Sequence, residues 1–248
     1  MEISRQQVEK EFHERHGKIY RGDKELIFED RAFFYEPSIS YPIETLGNLK
    51  GKTILDYGCG DGVSSVVLAR RGAFVHAFDI SSKSIDLAIR RAKVNGVADK
   101  VFPRQMAAER LEYSDNMFDA VYGNAIIHHV NLKEASCELH RVMKPGGIAT
   151  FSEPLGENFI LELARKYIPY PNKHRSPTER SLTYKDIWAF AKPFSKVNLF
   201  EVQLLEMIRR IIRNKRLIKK LADVDQVLLA RVPFLRRYCR GVIITLVK

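Results

Sequence analysis

The sequence predicts a doubly wound α/β fold, a seven-stranded and mostly parallel sheet with helices on both faces. Short apolar, β-rich runs alternate with amphipathic helical runs along most of the 248 residues, the pattern of parallel strands joined by crossover helices. A glycine-rich loop, Gly58-Cys59-Gly60-Asp61-Gly62, lies directly between one apolar run and one helical run. An acid, Asp79, closes the next apolar run, 21 residues after Gly58.

Taken in order, a polar helix is expected over residues 3–16, followed by the apolar Phe33-Phe34-Tyr35. Strands follow at 53–57, 74–79, 100–105 and 118–122. A fifth, at 147–152, comes after a turn at Lys144-Pro145-Gly146, and two more lie at 196–203 and 241–247. Ser81 and Ser82 offer a helix cap before Ile85, Ala88, Ile89 and Ala92, which recur at helical spacing. Leu132, Ala135, Leu139, Val142 and Met143 repeat that spacing. Residues 154–183 carry Pro154, Pro169, Pro171 and Pro177 and read as an insertion over the sheet's C-terminal edge. Thr183 with Asp186 resembles a capping box for a short helix through Trp188. Residues 204–230 read as helical and basic. The expectation is a single domain over 1–248, with a lid segment at 1–50, a core at 51–153, a substrate-side insertion at 154–194 and the last two strands at 195–248.

Apolar residues at 45% and charged ones at 29% are ordinary for a globular protein. The N-terminus mixes acids and bases, unlike a signal or transit peptide, and no run is long enough to span a bilayer. Cys59, Cys137 and Cys239, few and without CxxC spacing, argue against a disulfide framework or a structural zinc site. A cytoplasmic location is expected, and no metal ligand set is read. Net charge is +11, but residues 200–248 hold 12 Lys/Arg against 4 Asp/Glu. That local excess disfavours a nucleic-acid binder, which would spread its charge or add a basic tail.

The loop specifies the ligand. Alternate glycines let the backbone turn sharply and approach a ligand without a Cβ in the way, and Asp79 stands where a doubly wound fold places a carboxylate for ribose hydroxyls. The spacing is G-x-G-x-G, unlike the G-x-G-x-x-G of dinucleotide enzymes. Asp56 and Asp61 flank it with negative charge, which suits a ligand without phosphate that carries an ammonium and a sulfonium. With LDYGCGDG at 55–62, FDIS at 78–81, AAERLEYSDNMFDAVYGNAIIHHV at 107–130 and RVMKPGG at 141–147, the chain resembles the class I S-adenosylmethionine-dependent methyltransferases, chiefly their small-molecule branch. The resemblance covers about residues 50–153. It implies a Rossmann-like methyltransferase fold with the seventh strand antiparallel between the fifth and sixth. S-adenosyl-L-methionine is implied as cofactor and S-adenosyl-L-homocysteine as product. Gly58, Gly60 and Gly62 would cradle the methionine and ribose, and Asp56 would orient the loop or the ammonium. Asp79 would bind the ribose and Ile80 pack on the adenine. The backbone around Asn124 would receive the amino group. Where the family often has an adenine-reading acid, this chain has Ala107, so either Glu109 or the backbone at Ala108 and Glu109 takes that part.

Methyl transfer needs alignment and, for a hydroxyl acceptor, removal of a proton. The candidates are His128, His129 and Glu153, at the ends of the fourth and fifth strands; each has a purely structural alternative as cap or loop support. Tyr20, Phe34 and Tyr35 are candidates for a cover over the cofactor or for plain packing. His174, Arg175 and Arg180 are candidates for an anionic acceptor or a solvated face. Asn124 lacks the Pro-Pro-aromatic run that holds a flipped base, no Pro-Cys pair is present for cytosine attack, and Cys59 and Cys239 do not read as nucleophiles. In 208–221, Ile208, Ile211, Ile212, Ile218 and Leu221 share one helical face, while no acid occurs in 209–220. That fits an anionic membrane surface, an acidic substrate, or a helix packed on the sheet with a cationic outer face. The leading expectation is methyl transfer to a hydroxyl, or an amine or carbon, of a small or lipid-like molecule. The alternatives are an RNA methyltransferase and a cofactor-binding protein without catalysis.

Overall fold

The computed structural model describes residues 4–16, 20, 22–27, 37–167, 176, 180–210 and 214–248. Helices α1 (Arg5–His16) and α2 (Pro37–Thr45) precede the sheet. The chain then runs β1 (Thr53–Tyr57), α3 (Val63–Arg70), β2 (Phe74–Asp79), α4 (Ser82–Val94), β3 (Val101–Gln105), β4 (Phe118–Asn124), α5 (Leu132–Val142) and β5 (Met143–Pro154). It closes with α6 (Phe159–Tyr167), α7 (Tyr184–Ala191), β6 (Lys196–Val202), α8 (Lys215–Arg231) and β7 (Gly241–Val247). Strand order is β3-β2-β1-β4-β5-β7-β6, with β7 antiparallel to both neighbours and the other pairings parallel, as the resemblance implies. The order reverses between β1 and β4, so the crevice for a ligand opens at their C-terminal ends.

Strand alternation divides the core. Ile54 of β1 packs with Val75, Tyr122 and the apolar residues of α2 and α3, whereas Leu55 and Tyr57 face Phe151, Leu139 of α5 and Phe190 of α7. Local signals set the helix starts. Ser81 caps α4 by accepting from Ser84 N–H, Asn131 caps α5, and Thr183 with Asp186 forms the expected capping box on α7.

Two segments differ from the sequence expectation, and a third has a feature it did not address. β5 begins at Met143, so the Lys144-Pro145-Gly146 turn lies inside it; the extra length is absorbed by a register shift against β4 between Phe118 and Ala120. The basic segment is not one continuous helix. A 3₁₀ turn covers Glu206–Arg210, and Asn214 starts α8 afresh by accepting from Arg216 and Leu217 N–H. Ile218 and Leu221 are half-buried on the side of buried Ala222, Asp225 and Leu229, whereas Ile208 of the 3₁₀ turn is exposed, so the apolar stripe read from the sequence is not one inward face. Asp225 anchors this packing by accepting from Leu204, Leu205 and Glu206 N–H. Finally, α6 is turned inside out. Phe159 and Ile160 are 70% and 73% exposed, with Leu163 and Tyr167 beside them. Arg165, only 7% exposed, points inward to the Leu155 and Arg240 carbonyls and Ser181 Oγ. Phe33, Phe34, Tyr35, His174, Arg175, Ile211, Ile212 and Arg213, with Pro169, Pro171 and Pro177, lie outside the described residues.

Candidate active site

The loop after β1 is fixed from both sides. Asp56 is buried and accepts from Ser64 Oγ at 2.7 Å and Ser65 Oγ at 2.5 Å in the first turn of α3. Burial pushes its carboxyl up to about 6 against the two hydroxyls' opposing pull. Asp79 reaches across from β2, accepting from Gly60 N–H at 3.0 Å and Ser81 N–H at 2.9 Å, and burial raises its pKa as well. The glycines are needed for different reasons. Gly58, at φ +72°, would drive a Cβ into Ile126 at 2.6 Å, and Gly62, at φ +80°, would meet the α4 backbone at Ala88 at 2.7 Å. At Gly60, φ +52°, nothing lies within 4 Å of where a Cβ would stand, so the backbone there faces open space.

Asp61, read from the sequence as negative charge beside the ligand, is engaged within the protein. Arg91, buried on α4, pairs with its carboxylate at 3.2 Å and donates to its carbonyl at 2.7 Å. Tyr20 donates to the same carboxylate and accepts from Arg91 at 2.9 Å. Tyr20 thus braces the outside of the loop.

A pocket of about 790 Å³, mouth included, opens where these parts meet. Gly58, Gly60, Asp79, Ile80, Ala108, Glu109 and Asn124 line it, with Phe78, Met106, Ile126 and Val130 as apolar wall and Gln6, Glu9 and His13 of α1 as roof. Asp56 and Gly62 stand behind it and act on the loop. Glu109 accepts from Asn131 N–H at 2.8 Å and Gln6 Nε2 at 3.1 Å, joining the roof to the start of α5. The Ala108 carbonyl accepts from Tyr57 Oη at 3.3 Å.

The catalytic candidates separate. His129 lines the pocket, its Nδ1 3.0 Å from Glu9 Oε2. His128 lies behind it, buried, with Nδ1 2.6 Å from Glu153 Oε2, and the two rings lie 4.1 Å apart. Glu153 is buried too, and its other oxygen accepts from Ile126 and Ile127 N–H, both at 2.8 Å. Arg180 grips the capping Asp186 with two bonds of 2.6 Å and holds its carboxyl well below the usual range.

A family model described as a methyltransferase domain matches residues 55–151. A ubiquinone biosynthesis O-methyltransferase of Alkalilimnicola ehrlichii is 37% identical over 143 residues, 52% of this chain and 56% of that one. A demethylmenaquinone methyltransferase of Tropheryma whipplei is 32% identical over 129 residues, 50% of this chain and 52% of that one. Over these residues the chain is similar to the methyltransferase domain of the class I S-adenosylmethionine-dependent methyltransferases. Its matches span about half the length of these curated relatives. Geranyl diphosphate C-methyltransferase from Streptomyces coelicolor, crystallised with Mg2+, geranyl diphosphate and S-adenosyl-L-homocysteine, shares the fold. Its TM-score is 0.61 at 17% identity over 91% of this chain and 83% of that one.

S-adenosylmethionine is the cofactor of this family, and the pocket fits it. The open side of Gly60 accepts a ligand against the backbone, and the apolar wall of Phe78, Ile80 and Met106 suits a base. Asp79 keeps acceptor capacity beyond its two backbone bonds, because a carboxylate has about four lone-pair sites. What the sequence reading missed is the pocket's roof: Glu9 and His13 pass for ordinary polar residues of α1. Their only signal is i, i+4 spacing, which puts both on one helical face.

Proposed function

We propose that the protein transfers the methyl group of S-adenosylmethionine to an oxygen of a small, lipid-like molecule, with His129 as proton acceptor. The observation that carries this is the pocket-facing imidazole of His129, oriented by Glu9 beside Asn124, Ala125 and Ile126. S-adenosylmethionine supplies a methyl already activated on sulfonium. The chain aligns the acceptor and removes a proton: Glu9 takes the Nδ1–H bond of His129, which leaves the lone pair on Nε2. His128 and Glu153 position this loop from behind. In this reading α1 is the lid, 51–153 the cofactor core, and 154–194 the acceptor side of one domain. The ubiquinone and menaquinone methyltransferases among the relatives support a quinone-type acceptor, and the O-methyltransferase among them supports an oxygen as its reacting atom.

We further assign the outward apolar face of α6 and the cationic Arg216, Lys219 and Lys220 of α8 to peripheral docking of a cytoplasmic protein on an anionic membrane. No described helix is long and apolar enough to cross one. The test is methyl transfer from labelled cofactor to hydroxylated aromatics bearing prenyl tails, in vesicles with and without anionic lipid. Methyl appears on oxygen, and His129→Ala lowers turnover ~100-fold or more while S-adenosylhomocysteine affinity stays within a few-fold. Transfer only to carbon or nitrogen, or full activity in His129→Ala, refutes the reading.

A further inference from the structure

Three side chains around the pocket roof converge on one point. Glu9 Oε2 lies 3.6 Å from His13 Nε2 and 3.0 Å from His129 Nδ1, and all three donor atoms fall within 4.8 Å of one another. Around a cation bound at about 2.0–2.2 Å, neighbouring donors stand roughly 3.0–3.5 Å apart, so the cluster needs only small side-chain shifts to close on an ion. We propose that Glu9, His13 and His129 form a three-ligand site for a divalent transition metal, zinc foremost, that holds an oxygen of the methyl acceptor.

The surroundings are those of a built site. Glu9 is buried, and its second oxygen accepts from Ser176 Oγ at 2.6 Å, so the carboxylate is aimed from outside. Helical i, i+4 spacing sets Glu9 and His13 side by side, and His129 closes the set from the 3₁₀ turn Ile127–His129. Its ring lies edge-on to His13, centroids 5.4 Å apart. Two neutral imidazoles and one carboxylate carry a single negative charge, which a divalent ion reverses. That donor set selects zinc, iron or cobalt over magnesium, which prefers oxygen alone. All three ligands also line the cofactor pocket, so the coordination positions they leave open into it, where the transferable methyl would lie. Three protein ligands with a position left for substrate is the catalytic pattern, unlike the closed four-ligand structural one.

A hydroxyl on the ion loses its proton more readily, the proton leaving to solvent. The C–O bond then forms as the C–S bond breaks and its electron pair stays on sulfur. This role rests on the methyl-transfer reading above, with the ion in place of His129 as the group that activates the hydroxyl; metal binding rests on neither. The ion and the proton shared by Glu9 and His129 are exclusive occupants of one place, and titration separates them.

The experiment uses the tag-free full chain stripped with chelator, titrated with Co2+ by its d–d absorption and with Zn2+ by calorimetry. One equivalent binds; His13→Gln, Glu9→Gln and His129→Asn each weaken it ~100-fold; excess Mg2+ does not displace it. S-adenosylhomocysteine binding and thermal unfolding report whether each variant is folded, and His13→Gln, the least buried ligand, is the safest of them. No binding by folded protein, binding untouched by all three substitutions, or displacement by Mg2+ overturns the proposal. Metal binding without methyl transfer upholds the site and refutes the proposed function. Transfer that survives chelation with no metal bound does the reverse.

Discussion

His128 and His129 are neighbours in sequence, each with its own glutamate, and they live in opposite environments. His128 is paired with Glu153 inside the core, where that carboxylate also gathers two backbone N–H groups of the same turn. His129 is paired with Glu9, a residue 120 positions away on a helix laid over the pocket. The first pair shapes the loop. The second connects α1 to the core and faces the pocket. The difference teaches that an imidazole–carboxylate pair is not a functional signature in itself; the surface it presents decides its role.

The strongest way to break this comparison is Glu153→Ala. Removing a buried carboxylate that serves three donors should cost about 3–5 kcal/mol, read as a fall in the urea midpoint. A cost below about 1 kcal/mol would mean the turn does not depend on it. Asp56 sharpens the contrast, being a buried carboxylate answered only by hydroxyls. Its folded value of about 6 stands above the ordinary 3.8, so the folded state binds this proton more tightly than the unfolded. Its contribution therefore rises as pH falls through about 6 toward 4. Relative to Asp56→Asn, the wild type should gain roughly 1–3 kcal/mol between about pH 7 and about pH 4.5. Equal pH profiles would contradict that. Next, His128→Ala should destabilise by about 1–3 kcal/mol, since it leaves a Glu153 oxygen buried without its partner. Last, His129→Ala should change stability by under about 1 kcal/mol and lose turnover instead. A reversed order for the two histidines would exchange their roles.

Much of the frame was legible because its signals are local. The glycines at 58, 60 and 62, Asp79 one strand on, the Thr183–Asp186 box and the β-rich run at 241–247 each declare themselves within a few residues, and the structure places all of them in the expected elements. The roof was not legible, because Glu9 and His129 meet only after the chain has folded. Arg91 was hidden for the same reason: in a helix of mixed charge nothing marks the one arginine that Asp61 and Tyr20 draw inward. Periodicity also gives the direction of an apolar stripe without saying which side faces water. That is why Ile218 and Leu221 proved to be half-buried and Ile208 exposed, while α6 turned its apolar residues outward.

The inverted α6 bears on how such a protein must be assayed. Under the docking proposed above, with exposed Phe159, Ile160 and Tyr167 resting on an interface, the protein would meet its acceptor by lateral diffusion in two dimensions. Its rate then follows the mole fraction of acceptor in the film, not the amount per litre. Diluting acceptor with inert lipid at fixed bulk concentration would slow it, whereas adding more vesicles of the same composition would not.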